Sequence, residues 1–441
     1  MTKGAGTNSG AVTVTAAGPL RGEVSVPGDK SISHRAVLLG SIATGETVVE
    51  NFLEGRDNMS TLRAFEAMGV RFRREGGGRL TVGGVGLRGL AEPGDVIDAG
   101  NSGTTARLLT GLLAGQHFFS VITGDASLRR RPMGRVVTPL RSMGAAIEGR
   151  RGGELLPLAV SGRPLRGMEY AAPVASAQLK SSLLLAGLTA EGVTAVTEPM
   201  KSRDHTERFL ARFGADIEVD GLTVRVRGGR ELTGCEVTVP GDISSAAFLL
   251  VAALITPGSD LLVRNVGVNP TRTGILDILG KMGARIETSE LRDEGFEPSA
   301  SIRARTSKLH GAAIGGAELL PAIDEFPVIC VAAALAEGVT VISGASELRV
   351  KESDRIAVMA SALSSLGVKV EERSDGLVIE GVGSGRGALG HARIDSRGDH
   401  RVAMAMAVAG LASPGGVTID DADCADVSFP GFFDLLEEIG G

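Results

Sequence analysis

Apolar residues fall at helical spacing in several stretches of this chain. After the turn signal Pro27-Gly28, Ile32, Ala36, Leu39 and Ala43 line one face. Ile356, Met359, Leu363 and Leu366 do the same, Val328–Leu335 and Val402–Leu411 are almost wholly apolar, and another apolar helix runs from Ser176 to about Leu188. Several helices share one ending: a large apolar residue, a glycine, a small residue, then a strand. It occurs at Met68-Gly-Val70, Met143-Gly-Ala145, Phe213-Gly-Ala215, Met282-Gly-Ala284 and Leu366-Gly-Val368. Glycine is the expected residue just past a helix end. Gly69, Gly144, Gly214, Gly283 and Gly367 stand 75, 70, 69 and 84 residues apart. That interval is one α/β unit, larger than a solenoid repeat. A sixth unit fits after these, with a fainter ending near Leu436-Glu-Glu-Ile-Gly440.

Six α/β units divide three and three. Val26-Pro-Gly-Asp29 recurs as Val239-Pro-Gly-Asp242, and the two copies mark where the chain crosses between halves. The expected domains are residues 28–240, and residues 1–27 with 241–441. Two crossings at Pro-Gly turns would form a hinge. The first copy runs on into Lys30, Ser31, His34 and Arg35; the second runs on through Ile243 into small and apolar residues. A shared scaffold with unshared charges assigns the charges to a site.

Composition narrows the class. Hydrophobic residues make up 43% of the 441, aromatics only 3%, so the cores must be aliphatic. Forty-six basic against 52 acidic residues, a formal charge of −6, argues against a nucleic-acid partner. Cys235, Cys330 and Cys424 lack metal spacing and are odd in number, which suits a reducing, cytoplasmic compartment. Residues 1–11 read as a frayed start. No run of about 20 apolar residues suggests a membrane span.

Candidate chemistry gathers at helix starts, where free N–H groups and the helix dipole favour anions. Lys30, Ser31 and Arg35 form one such cluster. Asp98-Ala-Gly-Asn-Ser-Gly-Thr-Thr-Ala-Arg107 reads either as a capped turn, with Asn101 or Ser102 as cap, or as a ligand cradle that Gly100 and Gly103 open. Four arginines lie within Arg129–Arg135, and Arg131, before Pro132, is the favoured anion grip. Ser176 and Gln178 suit a hydroxylated ligand, though capping alone accounts for Ser176. Ser202-Arg-Asp-His-Thr-Glu207 offers Arg203 as an anion group and His205 as an ion-pair partner of the neighbouring acids; no metal is expected there. Asp324 reads as a helix cap or as a general base beside apolar surface. Lys351, Glu352 and Arg355 precede another helix. Arg401 opens an apolar helix against the dipole preference, which a bound anion would explain.

The motifs Asp29-Lys-Ser-Ile-Ser-His-Arg35, Gly100-Asn-Ser-Gly-Thr-Thr-Ala-Arg107, Arg131-Pro-Met-Gly134, Ser176-Ala-Gln-Leu-Lys180, Arg349-Val-Lys-Glu-Ser-Asp-Arg355 and Gly398-Asp-His-Arg-Val-Ala-Met-Ala405 resemble those of the enolpyruvyl transferase family, in the branch acting on shikimate 3-phosphate. The resemblance spans about residues 20–435. It implies an inside-out α/β fold, two domains of three βαββαβ-type units each with a cleft between them, and helix N-termini facing that cleft. It implies transfer of the enolpyruvyl group from phosphoenolpyruvate to the 5-hydroxyl of shikimate 3-phosphate by addition–elimination, by a monomer without cofactor. Carried over, Ser31, Arg35, Ser176, Gln178, Arg203 and Lys351 would hold shikimate 3-phosphate. Lys30, Gly103, Arg131, Arg355 and Arg401 would hold phosphoenolpyruvate, with Gln178 touching both substrates, and Asn101 would be a further substrate-binding residue. Asp324 would take the hydroxyl proton, and Glu352 with Lys30 would manage the methylene proton.

One departure is Val427, where some members carry a lysine. The Ser-Ala-Gln, Arg-Asp-His-Thr-Glu and Asn269-Pro-Thr-Arg272 patterns resemble the branch less sensitive to glyphosate, whereas Gly103 matches sensitive members; intermediate to low sensitivity follows. The sister transferase acting on UDP-N-acetylglucosamine is a rival, but residues 125–135 lack its loop cysteine, and Lys30-Ser31 stands for its Lys-Asn. A P-loop needs glycine where Asp29 stands. A non-catalytic anion-binding protein would not need Asp324 and Glu352.

Overall fold

The structure is a computed structural model that describes residues 2–3, 10–16, 18–293, 296–384 and 387–440. The chain forms two compact units: Met1–Pro27 with Pro240–Glu294 and Pro298–Gly441, and Gly28–Val239 with Gly295–Glu297. Of the residues expected to fray, Thr2–Lys3 pair with Val12–Val14, while 1 and 4–9 lie outside the described residues.

Three four-stranded sheets belong to one unit; the other has two of these and one of five strands. Each sheet has the same plan. A strand, a buried helix and a parallel strand come first; then follow a second helix and an antiparallel hairpin. Ile97–Asp98, Gly103–Ala114, Phe119–Thr123, Gly134–Ser142, Ala146–Arg150 and Leu155–Ser161 show it in order. One detail of the expected fold is corrected: a single strand, not two, separates the helices of a unit, so the order is βαβαββ.

Composition explains the layering. In Ile243–Ile255 every residue is buried, as befits a helix apolar all round. Lys30–Ile42, Gly103–Ala114 and Ala177–Gly187 are nearly as buried in the other unit. The sheets turn one face to solvent: Leu155–Ser161 and Thr223–Arg227 alternate between partly and fully buried positions. The cores are aliphatic, with Leu38, Leu109 and Leu184 in one and Leu250, Val331 and Met404 in the other. All five helix-ending glycines have positive φ, 81–99°.

The two Val-Pro-Gly-Asp copies mark an exchange of strands. Arg21–Ser25 precedes helix Lys30–Ile42 in the chain, yet pairs with Asp260–Gly267, the strand after the other copy's helix. Glu236–Thr238 precedes helix Ile243–Ile255, yet pairs with Ala43–Glu50. The sixth sheet is completed the same way: Val12–Val14 from the start of the chain pairs with Val417–Asp420 near its end. Its hairpin is therefore absent from the C-terminal sequence, which is why the sixth repeat reads faintly. No helix among the described residues is long and apolar enough to cross a membrane.

Candidate active site

In the unit containing Gly28–Val239, three buried helices begin at side-chain caps. Asp29, Ser102 and Ser176 accept from the N–H groups of Ile32, Thr105 and Leu179. Ser102, not Asn101, is thus the cap of its helix, and Ser176 caps as its position allowed. Asn101 instead receives Arg131: Nη2 donates to its Oδ1 at 2.5 Å and Nη1 to its carbonyl at 3.3 Å. Of the clustered arginines, Arg131 is buried while Arg129 and Arg130 are exposed. Gly103 makes room for two guanidiniums, since a Cβ there would stand 3.0 Å from Arg107 Nη1 and 3.5 Å from Arg131 Nη1. Arg107 in turn donates to Gln178 Oε1 at 2.5 Å and to the Pro132 carbonyl at 3.0 Å. The other end of the Gln178 amide donates to Thr104 Oγ1 at 3.1 Å, so its orientation is fixed.

Lys30 Nζ meets Asp57 at 2.5 Å, and Asn58 donates to the Lys30 carbonyl. The Ser31 hydroxyl makes no hydrogen bond among the described residues. Arg35 points inward. Its Nε donates to Thr206, Nη1 to the Ser31 carbonyl and Nη2 to Ser181, at 2.7, 3.0 and 3.1 Å. Burial pulls its pKa down to about 10, against the pull of Glu207, Asp29 and Glu297, and the nearby Arg203 pushes the same way as burial. Behind Arg35, buried Lys180 bridges Glu198 and Glu207 at 2.6 Å each, and the two carboxylates outweigh burial to raise its pKa. His205 pairs with Glu297 at 2.7 Å, not with the acids beside it in sequence.

The other unit gathers carboxylates and arginines. Asp324 lies on the short helix Leu320–Glu325, and neither that helix nor the following Phe326–Ala334 has a side-chain hydrogen bond from its N-cap residue. Its carboxylate stands 3.4 Å from Arg355 Nη1 and 3.7 Å from Arg401 Nη2, and Arg401 Nη1 donates to its carbonyl at 3.2 Å. The apolar surroundings expected for Asp324 are therefore corrected to cationic ones. Arg355 is fully buried. Burial opposes its charge, but Asp399, Glu352 and Asp324 more than offset that and raise its pKa. Glu352 accepts from its Nη2 at 2.7 Å and Asp399 from its Nε at 2.8 Å. Asp399 also caps helix His400–Gly410 through Arg401 N–H. The arginine that runs against the dipole is thus answered by protein carboxylates. Lys351 makes no hydrogen bond among the described residues, and burial lowers its pKa despite Asp324 and Glu352. Next to Asp324, buried Glu325 accepts from Ser244 and lies 3.9 Å from Arg272. Val427 ends the short helix Ala422–Val427 and supplies no charge.

A family model described as EPSP synthase (3-phosphoshikimate 1-carboxyvinyltransferase) matches residues 14–436. The chain belongs to the EPSP synthase family. A 3-phosphoshikimate 1-carboxyvinyltransferase from Geobacter metallireducens is 59% identical over 427 residues, 97% of this chain and 98% of that protein. One from Geobacter sulfurreducens is 59% identical over 95% of this chain and 97% of its own. A solved EPSP synthase from Acinetobacter baumannii has a TM-score of 0.87 and 46% identity, covering 98% of both chains. The enolpyruvyl transferase NikO from Streptomyces tendae shares the fold, with a TM-score of 0.77 at 18% identity over 97% of both chains. An EPSP synthase family member is a transferase, and the P-loop and binding-protein readings lose their ground.

Several residues of this candidate site escaped sequence reasoning as participants: Asp57, Arg107, Lys180 with Glu198 and Glu207, and Asp399. Arg107, Lys180 and Asp399 lay inside quoted motifs; for Arg107 and Lys180 a charge at an otherwise apolar helical position was the available signal, and for Asp399 a cap position before an apolar helix. Asp57 and Glu198 carried none, because their partners lie 27 and 18 residues away.

Proposed function

We propose that these residues perform the family's reaction, transfer of the enolpyruvyl group of phosphoenolpyruvate to the 5-hydroxyl of shikimate 3-phosphate with release of phosphate. The observation that carries the reading is the setting of Asp324 between Arg355 and Arg401, with Glu352 on the far side of Arg355. Two carboxylates joined through one guanidinium, beside cations that suit an anionic substrate, support the reading of one as base and the other as acid.

Asp324 accepts the proton of the 5-hydroxyl as its oxygen bonds to C2 of phosphoenolpyruvate. The C2–C3 π pair takes a proton at the methylene, for which Glu352 and Lys30 are the donors, and a tetrahedral adduct results. Loss of a C3 proton then re-forms the double bond as the C2–O bond to phosphate breaks. Arg131, Arg355, Arg401, Lys30 and the N–H groups at Gly103 hold phosphoenolpyruvate, and Asn101 holds Arg131. Ser31, Ser176, Gln178, Arg203 and Lys351 hold shikimate 3-phosphate. Arg35 joins them with the two of its five N–H donors that make no hydrogen bond among the described residues. A monomer in the cytoplasm completes the reading; three free cysteines, two buried and one half-buried, support the compartment.

Phosphate release with phosphoenolpyruvate and shikimate 3-phosphate, run beside UDP-N-acetylglucosamine, tests it. Release is expected only in the first. Release only in the second would transfer the chain to the sister activity.

A further inference from the structure

One outer sheet face carries charges that the proposed reaction does not use. The sheet is Arg285–Arg292, Ser299–Arg305, Asp260–Gly267 and Arg21–Ser25, in that spatial order. Arg285, Arg305, Asp260 and Arg21 stand directly opposite one another, one on each strand. Arg285 and Arg305 are therefore like charges in direct cross-strand register, an arrangement that costs stability unless an anion lies between them.

The protein's own anions fall short of the need. Asp260 is gripped by Arg303 through Nε and Nη2 at 2.6 and 2.7 Å, and Arg305 Nε reaches it at 3.3 Å. Those hydrogen bonds, the Arg303 bond foremost, hold its carboxyl at about 2, so it is already ionised. Glu287 is taken by Arg305 and Glu23 by Arg264. The Arg285 guanidinium makes no hydrogen bond or ion pair among the described residues, and Arg21 makes only a 3.4 Å contact to the Gly258 carbonyl. These arginines line a cleft of about 660 Å³, in which four arginines face two acids, Glu23 and Asp260. Three strand spacings, about 14 Å, separate Arg21 from Arg285 at the backbone, so their side chains bracket a ligand with two anionic groups better than a single small ion.

We propose that this cleft binds a small, multiply charged oxyanion, a phosphate compound or a polycarboxylate, between Arg21 and Arg285. Asp260 acts there as an internal competitor that occupies Arg303 and Arg305. The site is separate from every residue assigned to the transfer reaction.

Calorimetric titration of the full chain with pyrophosphate at constant ionic strength tests the site. In Arg21→Ser/Arg285→Ser, one class of binding should weaken at least tenfold while phosphate release in the enzyme assay is unchanged. Asp260→Asn frees Arg303 and Arg305, so it should bind pyrophosphate about tenfold more tightly, the gain expected from a charge-assisted hydrogen bond. Competition by citrate would mark polycarboxylates as ligands; its absence would mark phosphate compounds. Equal pyrophosphate binding by the double variant and the natural chain, or no gain in Asp260→Asn, overturns the proposal.

Discussion

Helix Lys30–Ile42 and helix Ile243–Ile255 start from the same Val-Pro-Gly-Asp, and each is capped by its aspartate. Past the cap they diverge. The first carries Lys30, Ser31 and Arg35; the matching residues of the second are Ile243, Ser244 and Phe248. Phe248 packs on Phe432 at 6.0 Å, and Ser244 donates to Glu325. The cap and the exchanged strand are thus demands of the fold, met in both copies. Lysine and arginine at these places are not. Where the first copy puts its charges on the helix itself, the second unit brings Asp324, Glu352, Arg355 and Arg401 from other helix starts.

Breaking that division of labour should have graded effects. Asp324→Asn removes the base while keeping its shape. Turnover should fall about 10²–10⁴-fold, with shikimate 3-phosphate binding changed only a few-fold by calorimetry. Surviving turnover would remove Asp324 from the reaction. Copying the first helix into the second, Phe248→Arg, buries a charge in a packed apolar core. It should cost about 3–5 kcal/mol, read by urea unfolding. The reverse change is milder. In Arg35→Ala, Ser181 and Thr206 still bond each other at 2.6 Å, so the fold should persist. The loss is expected in kcat/KM for shikimate 3-phosphate, about 10–100-fold.

Two smaller effects come from burial. Lys351 has a pKa below its ordinary value, so its charge costs stability in full below that folded value, and the cost fades as pH rises toward the unfolded one. Lys351→Met should therefore melt higher than the natural chain at pH 7 while its KM for shikimate 3-phosphate rises. A lower melting point would contradict this. Arg35, at about 10 when folded, loses its charge as pH climbs from there toward the ordinary arginine value. Its cost to stability disappears over that range, and so does its help to the substrate phosphate. KM for shikimate 3-phosphate should rise near pH 10 in the natural chain and show no such step in Arg35→Ala. Smallest is the response to glyphosate: the Ser176-Ala-Gln178, Arg203-Asp-His-Thr-Glu207 and Asn269-Pro-Thr-Arg272 patterns, set against Gly103, give an expectation of intermediate to low sensitivity. Full inhibition at concentrations that stop sensitive members would sink that expectation.

Much of this was legible in one dimension. Helix starts, caps and helix-ending glycines are local events, fixed by a few adjacent side chains and by backbone that only glycine adopts easily. The repeat, the crossing points at Pro27 and Pro240, and the motif residues from Lys30 to Arg401 were therefore readable from the order of residues. What the order could not hold was pairing across distance. The strand Arg21–Ser25 belongs with Asp260–Gly267, more than two hundred residues later, because exchanging first strands closes both sheets. Asp324 read as a helix cap or as a general base beside apolar surface, because the two arginines that face it follow 31 and 77 residues later. The charge of a side chain is written in the sequence; what surrounds it, and hence its pKa and its use, is decided only when distant segments pack.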